Sequence, residues 1–237
     1  FPMRMMERYQ FKHAAKVVSL GGKLTDILRK EVPNAHKKIE VLPNAVIPGE
    51  EPVRNFDKEK LELLFVGRFA TNKGINVLMD GVKSLNIEGY KDRLSFNIVG
   101  KGPLYEQYIK EYNFPNVKFL GFADDDQLMK LYRSCDLFVF PTLFEGMPTV
   151  VLEAMAGGMP IVVTDTGATA ELVGRENGFL IETNNMRSLK WGIQSFYQLT
   201  PEKRLELSLA SRRKVLKYFT WPIVAQKHIE LFEKFLK

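Results

Sequence analysis

The segment Phe140-Pro141-Thr142-Leu143-Phe144-Glu145-Gly146-Met147-Pro148-Thr149-Val150-Val151-Leu152-Glu153 carries two carboxylates with seven residues between them, around what reads as a helix start. The first amides of a helix lack intrahelical acceptors and attract phosphate. Glu145 stands in the loop before that start and Glu153 about two turns later. Neither suits a phosphate, but each can accept hydrogen bonds from sugar hydroxyls, one holding a ribose and the other a transferred sugar. The plainer account is a dipole-favoured Glu145 and a solvated Glu153. Against it, Glu153 lies among Val150, Val151, Leu152, Ala154, Met155 and Ala156, where an unpaired carboxylate is costly.

Three further segments could serve the same chemistry. Gly67-Arg68-Phe69-Ala70-Thr71-Asn72-Lys73-Gly74 follows an apolar run and sets two cations around a loop, a clamp for a diphosphate. Asn72 and Gly74 break the P-loop pattern there. An ordinary strand–helix loop with surface cations is the alternative. Val99-Gly100-Lys101-Gly102-Pro103 begins like a dinucleotide fingerprint, but Tyr105 stands where its third glycine belongs, so it reads mainly as a tight turn. Leu120-Gly121-Phe122-Ala123-Asp124-Asp125-Asp126-Gln127 suits contact with a nucleobase, a helix cap by Asp124, or both. Three consecutive Asp side chains diverge too far to favour a metal site. His13, His36 and His228 are scattered, and His228 reads as packed on the face it shares with Val224, Leu231 and Phe235.

These segments need a scaffold that brings loop ends together. Apolar runs at Leu63–Val66, Leu94–Val99, Val117–Leu120, Leu137–Phe140, Ile161–Thr164 and Phe179–Ile181 are short and nearly uninterrupted. Parallel strands buried on both faces read this way. Helical patterns alternate with them, at Ile75, Leu78, Val82 and Leu85, at Leu128, Leu131 and Tyr132, and across Met147–Gly157. The expectation is an α/β Rossmann-like doubly wound parallel sheet with a helical C-terminal tail. Residues 61–218 form that domain, with helices over 187–199 and 201–218, and 219–237 form a last helix. Residues 48–60 have a linker composition. Residues 1–47 read as helix, strand, helix, strand, too little to close a core alone.

The formal charge of +6 admits a solvated basic surface, anionic ligands or an anionic membrane face. Nucleic-acid binding ranks last, because Lys and Arg are scattered and no nucleic-acid motif appears. Cys135 alone supports neither a disulfide nor a Cys-based zinc site, which fits a reducing, cytoplasmic compartment. The weakly polar run from Met147 to Thr164 contains Glu153, Gly157, Gly158 and Pro160 and is no membrane span. Phe1 opens the chain without Met, as a fragment does.

The Glu-Gly-x-Pro segment with its second Glu, together with Gly-Arg-x-x-x-x-Lys-Gly upstream, resembles glycosyltransferase family 4 over residues 39–237. Leu42-Pro43-Asn44, the Gly100–Pro103 turn and the Trp-containing last helix take part in the match. The resemblance implies the C-terminal half of a GT-B fold and a retaining, metal-independent hexosyltransferase with no cofactor. It implies a nucleotide-diphosphate sugar, UDP- or GDP-linked, as co-substrate; the expected acceptor is a glycan or lipid-linked sugar, and the charge reading adds peripheral contact with the cytoplasmic membrane face and no nucleic acid. Arg68, Lys73 and Glu145 match its catalytic groups. Arg68 and Lys73 match the diphosphate clamp beside Gly74. Phe122, Ala123 and Asp124 match the base-contacting segment. Glu145, Gly146 and Met147 match the donor-sugar loop. Thr149, Val150 and Val151 match the phosphate-binding helix start, and Glu153 the ribose carboxylate. The chain departs from the family at Gly167-Ala168-Thr169-Ala170-Glu171, where a Gly-Gly turn is usual, and most of the acceptor domain is missing, residues 1–47 being its remnant. A nucleotide-sugar-binding module without catalysis and a sugar-nucleotide epimerase are the alternatives.

Overall fold

A computed structural model describes residues 2–31 and 37–236; His36 lies outside them. Six strands form one parallel sheet: β3 (Leu61–Val66), β4 (Leu94–Val99), β5 (Val117–Gly121), β6 (Leu137–Phe140), β7 (Ile161–Thr164) and β8 (Gly178–Ile181). Their order is β5-β4-β3-β6-β7-β8. The chain starts at β3, moves outward one way, then returns to β6 and moves the other way. Right-handed crossovers in opposite directions put the intervening helices on opposite faces, the doubly wound arrangement. Crevices in such sheets open where the direction reverses, beyond the ends of the two central strands. Here those strands are β3 and β6.

The burial patterns explain which apolar runs are strands and how deep they lie. β4, β6 and β7 are buried at every position, as expected of strands covered on both faces. β5 differs: Val117, Phe119 and Gly121 are more shielded than Lys118 and Leu120, because β5 is the sheet edge and alternates. Leu120 is accordingly exposed, although it belongs to an apolar run.

Helices α3 (Ile75–Ile87) and α8 (Met186–Tyr197) pack together, as do α6 (Thr149–Ala156) and α9 (Pro201–Tyr218). Helix α5 (Asp125–Ser134) is capped by Asp124, whose carboxylate accepts from the Gln127 amide at 2.8 Å while the Gln127 side chain accepts from the Asp124 amide at 3.0 Å. This reciprocal pair satisfies two otherwise orphan donors. Residues 48–60 contain no helix or strand, yet they are pinned rather than free. The Arg54 guanidinium reaches the carbonyls of Tyr132, Cys135 and Gly157, and Phe56 is buried edge-on to Phe196. Burial of Arg54 pulls its pKa down to about 10.

Ahead of this stretch, α1 (Pro2–His13), β1 (Val17–Ser19), α2 (Gly22–Glu31) and β2 (Ile39–Val41) form the expected sequence of elements, with β1 and β2 paired parallel. The start of α2 docks on the segment after β7. The Lys23 amide donates to the Gly167 carbonyl at 2.8 Å, and the Gly22 amide donates to Glu171. The last helix, α10 (Trp221–Leu236), buries Val224 and Leu231, but Phe235 is exposed rather than on the packed face. His228 is half-buried with Nδ1 2.9 Å from the Val224 carbonyl.

Candidate active site

The loops after β3 and β6 meet above the reversal of the sheet. Gly74 makes the meeting possible. Its φ is +69°, and a Cβ there would fall 1.8 Å from the Pro141 carbonyl oxygen. Gly74 is buried and lets the two backbones touch. Two hydrogen bonds lock the contact: the Leu143 amide donates to the Asn72 carbonyl at 2.9 Å, and the Thr142 hydroxyl donates to the same carbonyl at 3.1 Å.

This closure brings Lys73 and Glu145 together. The Lys73 ammonium donates to Glu145 Oε1 and lies 5.9 Å from the centre of the Phe140 ring. Glu145 Oε1 is also 3.3 Å from Thr142 Oγ1. The Glu145 side chain is 15% exposed and that of Lys73 25%, so the pair is shielded but reachable. An ammonium has three N–H donors; one meets Glu145, leaving others for an incoming anion. Arg68, on the same loop, is exposed and pairs with no carboxylate among the described residues.

Helix α6 begins beside this pair. Its Val151 amide donates to the Pro148 carbonyl at 3.2 Å, so Val151 is not a free phosphate donor as expected. Pro148 in extended geometry closes the first turn early and leaves the Thr149 and Val150 amides as the open helix-start donors. Met147 is buried, and its carbonyl accepts from Asn44 Nδ2 at 2.7 Å. Gly146 and Glu145 are held from behind by Gly167, where a Cβ would fall 2.1 Å from the Glu145 carbonyl.

Glu153 does not join the Lys73–Glu145 pair. It faces a separate cavity of about 330 Å³, whose walls include Val46, Asp125, Met129, Tyr132 and Trp221. The Tyr132 hydroxyl donates to Glu153 Oε2 at 2.8 Å. Burial pushes the Glu153 pKa up, the Tyr132 hydrogen bond pulls it back, and Asp125 raises it further. Burial and the same carboxylate push the Tyr132 pKa up strongly. Phe122 is 76% exposed at the end of β5, Ala123 is buried beneath it, and Asp124 is committed to the α5 cap. Among the described residues no group of three or more His, Cys, Asp or Glu side chains is placed to hold a metal ion.

The profile of the glycosyl transferases group 1 family matches residues 47–214. The chain belongs to that family. Its relatives include an uncharacterized glycosyltransferase of Methanocaldococcus jannaschii, 27% identical over 96% of this chain and 62% of the relative. Another is the UDP-Gal:alpha-D-GlcNAc-diphosphoundecaprenol alpha-1,3-galactosyltransferase of Escherichia coli, 28% identical over 91% of this chain and 59% of the relative. The chain thus spans about three-fifths of the length of these relatives. Among solved structures it shares its fold with the sucrose-phosphate synthase of Thermosynechococcus elongatus (TM-score 0.85, 23% identity, 99% of this chain and 62% of that one). HepE of Anabaena in complex with UDP and glucose gives a TM-score of 0.77 at 20% identity, over 97% of this chain and 66% of that one. These likenesses place the sheet as the Rossmann-like half of a GT-B architecture.

Several site residues carried no assignment in the sequence. Tyr132 appears there only as part of a helical stripe, yet it is the partner of Glu153. Thr142 and Phe140 sit inside the quoted motif with no role, yet they bracket Glu145 and Lys73. Asn44 is only part of an approach to the linker, yet it fixes the Met147 carbonyl. All four contacts join residues at least two apart in one loop or on different elements, and no local period signals them.

Proposed function

We propose that this chain supplies the donor-binding half of a retaining hexosyltransferase that moves a hexosyl unit from a UDP- or GDP-linked sugar to a glycan or lipid-linked acceptor, with protein cations in place of a metal. The Lys73–Glu145 pair carries the reading. It joins the two central loops of the sheet at the reversal of strand order, where open α/β sheets bind ligands, and it combines a cation for a diphosphate with an acceptor for sugar hydroxyls. Arg68, Lys73 and the Thr149 and Val150 amides stabilise the charge that develops on the leaving diphosphate. Glu145 orients the transferred sugar. Glu153 accepts from the ribose, and Phe122 and Ala123 face the base. The galactosyltransferase relative, named for UDP-Gal and a lipid-linked acceptor, and the HepE complex with UDP and glucose support the donor class.

No described helix is long and apolar enough to cross a membrane. On this reading a lipid-linked acceptor is met at the membrane face, and the +6 charge favours an anionic surface. Titration calorimetry with UDP and with GDP tests the proposal. One of them binds in the micromolar to millimolar range. No heat of binding from either at millimolar concentration overturns it.

A further inference from the structure

Beyond the ends of β7 and β8 lies a second polar cavity of about 530 Å³. Its walls include Lys23, Asp165, Glu182, Thr183, Ser188 and Trp191. Sheet order puts it on the β8 side of the Glu145 loop, whereas the Glu153 cavity is on the α5 side. Trp191 is 53% exposed although Phe179 holds it at a ring distance of 5.8 Å and a right-angle tilt of 89°. A fixed, half-open indole offers a flat apolar face with polar groups beside it.

Those polar groups are a mixed set. Lys23 Nζ reaches the Asp165 carboxylate at 2.9 Å and the Asp165 carbonyl at 2.8 Å. The Glu182 amide donates to Ser188 Oγ at 3.0 Å, which leaves the Ser188 hydroxyl proton to donate. Asn185 Nδ2 donates to Glu182 Oε2 at 2.7 Å and fixes that carboxylate with its other oxygen open. Donors and acceptors side by side, next to an aromatic plane, match a pyranose: hydroxyls that both give and take, and an apolar C–H face. Two carboxylates against one ammonium disfavour phosphate and uronate.

We infer that this cavity is a saccharide subsite for an uncharged or amino pyranose. Its assignment to the acceptor rests on the transferase reading above. The Lys23 amide is bonded to Gly167, and Gly167 packs directly behind Glu145, so the cavity wall is continuous with the donor-sugar loop.

The chain has two tryptophans, and Trp221→Phe leaves Trp191 as the sole indole. In that variant, methyl α-D-glucopyranoside, methyl α-D-galactopyranoside and glucosamine are titrated against Trp191 emission, with glucuronate as the charge-reversed control. At least one of the first three gives a saturable shift in the millimolar range, and glucuronate gives none. Glu182→Gln and Ser188→Ala each weaken that response about threefold to tenfold. Saturation-transfer NMR on the unaltered chain shows the same sugar, and Trp191→Ala abolishes its signal. No saturable response, an equal response to glucuronate, or indifference to both cavity variants overturns the subsite. UDP is titrated separately. UDP binding without a sugar response sinks the subsite alone; a sugar response without UDP binding sinks the donor reading alone.

Discussion

The chain sets two glutamates of one motif in opposite surroundings. Glu145 faces an ammonium and a hydroxyl at the meeting of two loops, and that ammonium lies over an aromatic ring. Glu153 faces a phenol in a cavity between helices, where burial raises its pKa. The first environment suits a diphosphate and a sugar, because it carries spare cationic donors. The second suits a neutral polyol such as ribose, because it offers an acceptor and no positive charge. One helix start, α6, lies between them, so a nucleotide sugar laid across it would meet both. The lesson is that the spacing of the two carboxylates gives them separate partners, Lys73 for one and Tyr132 for the other, rather than one shared cluster.

Removing the backbone contact that creates the Glu145 environment has the largest expected effect. Gly74→Ala forces a side chain onto the Pro141 carbonyl at a positive φ. It costs about 3 kcal/mol or more and lowers Tm by roughly 6–12 °C. It also separates Lys73 from Glu145 and abolishes UDP binding; a normal Tm with normal binding breaks the claim that the two loops must touch.

The charge pair itself comes next. Lys73→Ala and Glu145→Ala form a double-mutant cycle read by thermal denaturation, with an expected coupling of about 1–3 kcal/mol for a shielded pair. Additive effects mean that the contact contributes nothing and that the two glutamates differ less than their surroundings suggest.

Glu153→Gln sharpens the contrast with a smaller effect. The Glu153 carboxyl holds its proton more tightly in the fold than in the unfolded chain, so its own contribution to stability is greatest at low pH. It falls as pH rises from the ordinary value of 4.5 through the raised folded pKa. The glutamine variant lacks this loss. At neutral pH its Tm rises by about 1–3 °C, while UDP affinity falls because an acceptor for ribose is gone. An unchanged pH profile of stability counts against the buried-carboxylate account.

The sheet was largely legible in the residues, since buried parallel strands leave short uninterrupted apolar runs. Three of the six coincide with the observed strand, and the other three miss one or two residues at one end. β5 shows the limit: edge position is a matter of strand order, which no local run reveals. The pairing of Lys73 with Glu145 was legible only as two candidate segments. Their contact depends on Gly74 against Pro141, a tertiary approach between residues far apart in the chain. Glu153 was singled out for its apolar neighbours, but its relief by Tyr132 depends on α5 and α6 sharing a face. Val151 was misread because the Pro148 carbonyl captures its amide, a detail of the first helical turn.

The claim that Lys73 belongs to a diphosphate site is tested most directly by titrating UDP and UMP into the unaltered chain and into Lys73→Ala. The account predicts a clear preference for UDP over UMP, about 10–100-fold, that collapses in the variant. An identical preference in both proteins would contradict it.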